Sequence, residues 1–548
     1  MLSKEDMNEV MDYLRQCQES RNAVEPYWKD IVKYMGTAYN RWPDDDRIKY
    51  TMKDTTAAEA SATFADGVEG YAFSRSLNWF SYGIESIKEG ADYEMAKSLL
   101  DKVQSVAYSW LAKSNFYTQA RQFIRSICDL GTGIIMMDYD RQRSKPRFRT
   151  LHLHDCFIGC DEWEQVETLI RQFTLTRKQA IKRFGLDNLP KAIRDSHDDR
   201  RKEWTFYQMI SPVTCWDFDI AGSGDWISIY WSKDAPEQTV REERLEKPEF
   251  IVFRYQDGVL GGDWGVDSPG MIAAPIMRFV NLLMEDLITL SELTAKGHWK
   301  KTKGLKVNFR AGGVTELESG QDFALVNATG NLAWLTEHIT YYRNTINRIY
   351  KTDLFLVLSQ NIDRAKTATE VAGIQDEKSS LMSSFFSRLG EEFLEPLHEW
   401  LFHQILLHAQ VPEITMEEIQ AIEDMNMEID FLSPAFLTQK RTVELSPTID
   451  WMNDMLSLAQ VSPNILDRID FDAFADIDHS KRRALGEVLI SRQDADKARQ
   501  IRAQIQQAQA DQQSRMQTAS EAADILSKLS DAAGKTGTAL PMTGGNNA

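Results

Sequence analysis

A few short stretches of this 548-residue chain hold side chains whose types and spacing could do chemistry. In LHLHDCFIGC, residues 151–160, His152, His154 and Cys156 share one parity and would lie on one face of a strand, with Cys160 just beyond. Imidazole and thiolate are zinc-ligand types, and a metal-dependent hydrolase built on them is the enzymatic reading the sequence offers. The spacing fits no strong zinc signature and no second cluster answers it, so half-buried strand residues are the plainer reading. His398 and His403 bracket Glu399 in HEWLFH, but they stand five apart. A zinc-protease helix needs four, the step that keeps both rings on one face. Gly534-Lys535-Thr536 lacks the earlier glycine of a phosphate loop, since Leu529 stands there. Gly131-Thr132-Gly133 lacks the third glycine of a dinucleotide fingerprint and leads from helix to strand, the wrong order. Gly222-Ser223-Gly224 is not a nucleophile elbow. The residues earn no catalytic, metal or cofactor assignment, and the chain is expected not to be an enzyme.

Composition narrows the class further. The hydrophobic fraction of 43% and charged fraction of 26% are those of a globular chain, long enough for several domain-sized units. Acidic residues exceed basic ones, 82 to 63, for a net charge of -19. Tight DNA binding over the whole surface would require phosphate neutralisation by a basic chain. A protein that lets DNA slide past it is still allowed. Cys17, Cys128, Cys156, Cys160 and Cys215 are sparse and odd in number, which points to a reducing compartment rather than a disulfide framework. The N-terminus is acidic and amphipathic, unlike a signal peptide. The most apolar run, around residues 271–293, is interrupted by Arg278, Glu285 and Asp286, so no membrane span is expected.

The elements read as α+β. Ser3 and Asp6 cap a first helix, Pro26 is expected to interrupt it, and a second short helix runs to Met35. Residues 39–53 read as a polar loop, 54–70 as a closely packed helix of small residues, and 76–80 as a turn. Helices follow at about 91–113 and 115–130, the latter stopped by Gly131. Six stretches then read as strands: 133–138, 148–157, 168–175, 204–216, 225–231 and 250–255. They form a mixed, largely antiparallel β region over 133–258. A helix from Arg177 to Phe184, capped by Thr176 and ended by Gly185, lies between them. After a glycine-rich connector, Met271 to Ala295 carries Ile276, Phe279, Val280, Leu283, Leu287, Leu290 and Leu293 at helical spacing. A Lys-rich hairpin with Lys300, Lys301, Lys303, Lys306 and Arg310 follows. A second helix beginning near Thr336 then carries Ile339, Tyr342, Ile346 and Ile349. The chain thus goes out along one helix and returns along another, an arrangement suited to a ring of subunits. The basic hairpin is either a solvated turn or a docking surface for an acidic partner or neighbouring subunit. Beyond it, Thr367 to Glu370 forms a capping box that opens a long helix to about His408. Residues 411–480 read as short helices and loops, 493–529 as a helix rich in Ala and Gln, and 534–548 as a disordered tail.

The order of several short motifs resembles that of the portal, or head-to-tail connector, proteins of short-tailed, T7-like bacteriophages. The motifs include Arg21 through Trp28, Asp54-Thr55-Thr56-Ala57 leading to Gly67, Asn78-Trp79-Phe80 and Leu130-Gly131-Thr132-Gly133. Then come Phe173-Thr174-Leu175-Thr176 with Gln179, Asp267-Ser268-Pro269, and Asn281 with Glu285-Asp286. Thr367-Ala368-Thr369-Glu370-Val371, Glu392-Phe393-Leu394-Glu395-Pro396, and Ile477-Asp478 with Arg482 and Gly486 complete the series. The resemblance implies an α+β portal-type fold that closes into a homo-dodecamer at one capsid vertex. Residues 1–268 would be the wing, 269–298 and 335–355 the two stem helices, and 299–334 the clip. The loop 356–366, with Ser359, Gln360, Asn361, Asp363, Arg364 and Lys366, would line the DNA channel. A long helix at 367–409, a crown at 410–492, a C-terminal helix at 493–530 and a disordered tail at 531–548 would follow. Lys300, Lys301, Lys303, Lys306 and Arg310 would belong to the clip. The implied partners are double-stranded DNA, read without sequence specificity, the terminase, tail adaptors, and the major capsid and scaffolding proteins, with no membrane. The implied location is the virion, after assembly in the host cytoplasm. A structural or scaffolding protein that forms no channel is the other alternative.

Overall fold

The computed structural model describes residues 2–35, 52–84, 91–197, 201–218, 220–256, 262–296, 298–308, 315–326, 330–355, 382–408, 427–433, 436 and 520–528, with isolated positions between 451 and 505. The chain divides into two units, Met1–Arg441 and Thr442–Ala548. In the second unit, residues 520–528 are helical and exposed. The expectations for the channel loop, the capping box at Thr367, most of residues 410–492 and the tail lie outside the described residues.

Helix α1, Lys4–Val32, opens with the expected capping box: Asp6 N–H donates to Ser3 Oγ at 3.2 Å and Ser3 N–H to Asp6 Oδ2 at 2.8 Å. It does not break at Pro26, contrary to the sequence expectation. A proline inside a helix removes one ladder bond and costs about 3 kcal/mol. Here the turns beyond it are anchored: the Trp28 indole donates to the Leu130 carbonyl at 2.9 Å, and Ile31 and Val32 are buried. Helices α2, Thr56–Ala72, α3, Ala91–Lys113, and α4, Phe116–Leu130, follow. Gly131 closes α4 at φ 80°, the left-handed conformation glycine adopts without steric penalty.

Two antiparallel sheets form the β region. Strands β2, Thr132–Asp140, β3, Lys145–Leu151, and β9, Phe250–Arg254, make the first, with β2 central. The second has the order β4-β5-β6-β7-β8, formed by Cys156–Cys160, Val166–Thr176, Glu203–Pro212, Trp226–Ser232 and Ala235–Leu245. Its side chains alternate as a half-buried strand requires. Tyr207, Met209, Ile229 and Trp231 meet Met7, Val10 and Leu14 of α1, while Trp204, Phe206 and Tyr230 meet Ala180 and Phe184 of α5, Arg177–Phe184. The stretch expected as one strand over 148–157 is two. A single 3-10 turn, Leu153–Asp155, passes the chain from one sheet to the other. His152 and His154 therefore do not share a strand face; the His154 N–H donates to His152 Nδ1 at 3.2 Å. Strand β8 was not expected because its run Arg241-Glu242-Glu243-Arg244 has no apolar alternation; it is an edge strand blunted by charge.

A further strand, β1, Phe80–Ile84, pairs antiparallel with β12, Met427–Phe431, placing Phe80 opposite Phe431. Against that pair lies a long helical segment: α8, Ser383–Leu389, a π-turn at Gly390–Leu394, and α9, Glu395–His408. The π-turn stands just before Pro396, whose missing N–H and ring disturb a regular ladder. His398 is fully buried among Trp79, Phe80 and Phe431, with Nδ1 3.0 Å from the Tyr82 hydroxyl. His403 turns elsewhere, to Glu246 at 3.1 Å, so the two histidines share no site.

Burial pushes the His398 imidazole down to about 3. It stays neutral in the fold, while in the unfolded chain it takes up a proton near its ordinary value. Its contribution to stability is therefore full above about pH 6.5 and is lost as pH falls from there toward 3. The urea midpoint of His398→Gln should fall less between about pH 7 and pH 5 than that of the unmodified chain. Two glycines give a second check. A Cβ at Gly270 would run into the backbone carbonyl of Asp129, whereas one at Gly70 meets nothing within 4 Å. Gly270→Ala should destabilise by about 1–3 kcal/mol, and Gly70→Ala, inside α2, should stabilise by about 0.5–1 kcal/mol, both read by denaturant unfolding.

Candidate functional site

The candidate site is a two-helix stalk whose lower part is rooted in the main core through Ala273, Met277, Ile346 and Tyr350. Its outgoing arm is α6, Pro269–Lys296, and its returning arm is α7, Leu332–Ile349. The second arm starts earlier than expected, because Asn331 rather than a residue near Thr336 caps it; the Trp334 N–H donates to Asn331 Oδ1 at 3.2 Å. The arms run antiparallel. Leu290 lies against Gly330, Arg343 Nη2 reaches Met284 Sδ at 3.6 Å, and Phe279 meets Tyr342 edge to face at 5.0 Å.

Both feet of the stalk converge on the corner between α4 and β2. The Asp129 side chain has no exposed surface. Its Oδ2 accepts from Ser61 Oγ at 2.9 Å and faces Arg125 Nε at 3.6 Å, while Oδ1 accepts from the Tyr350 hydroxyl at 3.3 Å. Ser268 Oγ, at the first foot, donates to the Asp129 backbone carbonyl at 3.4 Å, and Ser268 Oγ also accepts from Met271 N–H at 3.3 Å. One residue thus ties the start of α6 to the end of α7. The residue after Tyr350, Lys351, takes φ 51° as the chain turns out of the stalk. Burial holds its ammonium below the usual lysine range.

A second polar clamp lies part-way up. Asn281 Oδ1 accepts the backbone N–H groups of Lys53 at 2.6 Å and Asp54 at 3.1 Å. Asp54 in turn accepts from Arg343 Nε at 2.7 Å and from Thr56 N–H at 3.0 Å. The entry to α2 is therefore held between the two arms. Sequence reasoning noted Asp54 and Asn281 only as motif members; a short polar residue just before a helix was the signal that could have marked Asp54 as a local cap.

At the outer end, β10, His298–Lys301, pairs with β11, Phe323–Val326, and the rings of Trp299 and Phe323 stack at 4.8 Å. The turn beyond is stitched by Thr302 N–H to Asp322 O at 2.9 Å and Asp322 N–H to Thr302 Oγ1 at 2.8 Å. Lys300, Lys301, Lys303 and Lys306 are all exposed here, while Arg310 lies outside the described residues. The head is not uniformly basic. Glu316, Glu318 and Asp322 share it, and Lys300 pairs with Asp322 at 2.9 Å. Between foot and head, Ile272, Phe279, Leu282 and Leu293 on α6 and Trp334 and Tyr341 on α7 are exposed large apolar side chains. The sequence pattern had assigned Phe279 and Leu293 to one inward stripe, but two arms alone cannot cover so wide an apolar arc.

The residues of the hydrolase reading, His152, His154 and Cys156, lie on a turn between two sheets. Burial pushes the Cys156 thiol well up and the His154 imidazole down. Among the described residues no three His, Cys, Asp or Glu side chains are placed to share a metal ion. No described helix is long and apolar enough to cross a membrane.

The pattern of the family described as bacteriophage head to tail connecting protein matches residues 7–479, and the chain belongs to that family. Over 553 residues it is 25% identical to the portal protein of Salmonella phage epsilon15, with 96% of each chain covered. Over 485 residues it is 26% identical to a probable portal protein of Bordetella phage BPP-1, with 84% of each covered.

The Lys300–Asp322 pair is exposed on both sides, so it contributes little to stability, about 0–1 kcal/mol. Lys300→Ala should change the unfolding free energy by no more than about 1 kcal/mol, read by denaturant unfolding.

Proposed function

We propose that this chain is the subunit of a phage portal, the ring at one capsid vertex through which the genome is packaged and ejected. The whole-length likeness to portal proteins carries that reading. The finer parts rest on the stalk. Its exposed apolar side chains lie on a two-helix arm that is rooted at Asp129. Closing twelve such arms side by side would cover that surface and wall a channel. On this reading α6 and α7 are the stem, the β10–β11 head with Lys300, Lys301, Lys303, Lys306 and Arg310 is the clip, and residues before 269 are the wing. The helical segment from Ser383 to His408 would lead to a crown beyond it. The clip receives the terminase during packaging and the tail adaptors afterwards. The major capsid and scaffolding proteins surround the ring at the vertex, and assembly takes place in the host cytoplasm.

The charge balance supports passage rather than capture. Each phosphate contact adds affinity and salt dependence, which would act as friction on moving DNA. A subunit with a net charge of -19 avoids it. In the loop 356–366, Gln360, Asn361, Arg364 and Lys366 are assigned to brief contact with the duplex, flanked by Ser359 and Asp363. The family is one of structural proteins, and the chain is assigned no catalytic step and no cofactor.

Negative-stain images of the purified chain should show rings with a central hole. A species that stays monomeric under every assembly condition would overturn the portal reading, and a filled, holeless assembly would favour the scaffolding alternative. Arg364→Ala with Lys366→Ala should leave ring formation intact and alter packaging or retention of DNA. Normally filled heads from that double variant would remove the loop from the channel.

A further inference from the structure

A cavity of about 470 Å³ opens between the outer face of α4 and strand β3 with the turn that follows it. It lies outside the stalk and clip. Arg121, Arg125 and Arg149 line it together with Gln119, Thr150 and His152, and no acidic side chain does so among the described residues. Within a chain of net charge -19, this concave wall carries three guanidinium groups, of which Arg121 and Arg125 are paired to Asp66 and Asp129 outside the lining.

The donors in this wall are oriented by their other bonds. Arg121 uses Nε and Nη2 on the Asp66 carboxylate, leaving Nη1. Arg125 uses Nε on Ser61 Oγ at 3.2 Å and Nη2 on the Ala58 carbonyl at 3.5 Å, again leaving Nη1. Gln119 Oε1 accepts the Thr150 N–H at 2.7 Å, so its amide NH2 is the group left to donate. Arg149 projects from β3 as an exposed side chain and adds an entire fork. Asp66 and Asp129, the carboxylates that balance Arg121 and Arg125, are not among the residues that line it.

We propose that this cavity binds a small phosphate-bearing anion. Guanidinium forks suit phosphate and carboxylate alike. Here, however, donors come from several side chains on two elements, and a group with three terminal oxygens offers them more acceptors than a carboxylate with two. The volume is that of a small-molecule site, about 300–1,000 Å³, and leaves space for a polyphosphate or organic phosphate. The same chemistry is present in the backbone of DNA, and the experiment separates the two sources.

The test is titration calorimetry on the full chain at low ionic strength with sodium tripolyphosphate, repeated with Arg149→Ala and with Lys306→Ala as an equal charge change at the stalk head. Saturable binding that weakens about tenfold or more in Arg149→Ala, and little in Lys306→Ala, supports the site. Because Arg149 is exposed, its replacement should leave the unfolding midpoint in place, which the same samples verify. A short DNA duplex that displaces tripolyphosphate in an Arg149-dependent way assigns the phosphate to nucleic acid; one that does not assigns it to a free ligand. No binding, equal loss in both variants, or Arg149-dependent binding of a glutamate-rich peptide but not of tripolyphosphate would overturn the proposal.

Discussion

A carboxylate withdrawn from water costs several kcal/mol unless partners replace its hydration. Asp129 meets that condition only when the fold is complete. Its partners come from three separated stretches: Ser61 on α2, Arg125 one turn back on α4, and Tyr350 at the end of the stalk. The backbone carbonyl of the same residue receives Ser268 at the stalk's beginning. The constraint is mutual. The carboxylate needs these donors to be buried, and the donors fix where two long helices leave and re-enter the body. The adjoining glycine at 131, and the close approach of Gly270, leave that corner little freedom to shift.

From that root the stalk is held by polar bonds low down and by apolar contact further out. Asp54, Asn281 and Arg343 pin the arms to the start of α2. Above them the arms pack on each other and still leave large side chains uncovered. Directional bonds set the angle at which the arm stands. Non-directional apolar surface is what another surface can cover without needing one unique set of partners. The division suits an element whose direction is set by its own subunit.

Much of this was legible in the sequence where local rules decide. The box at Ser3 and Asp6, the cap at Thr176, the stop at Gly131 and the helical spacing of the stalk each depend on residues within a turn or two. The failures have equally physical causes. Pro26 obeys a local rule that burial of Trp28 and Ile31 overrides. The stretch around His152 and His154 looks like one strand because alternation cannot reveal that its halves join different sheets. Strand β8 hides because an edge strand need not be apolar. Of the candidate site, the lysines of the head were visible as a run, but the carboxylates that share their turn come from the far side of the hairpin. The root at Asp129 was invisible, since nothing in the sequence marks a lone aspartate as buried.

The pairing of β1 with β12 bears on how the chain is made. Phe80 finds its partner strand only when Phe431 has been synthesised, after the whole stalk has been laid out between them. Contacts so far apart in sequence are slow to form, because the loop must close before the pairing is rewarded. Until then the hydrogen-bonding edge of β1 is open, the kind of edge that joins to other chains. A growing chain therefore carries a vulnerable interval between the synthesis of β1 and that of β12. Pairing with β12 closes that edge and brings Phe431 against His398, which already packs on Trp79 and Phe80.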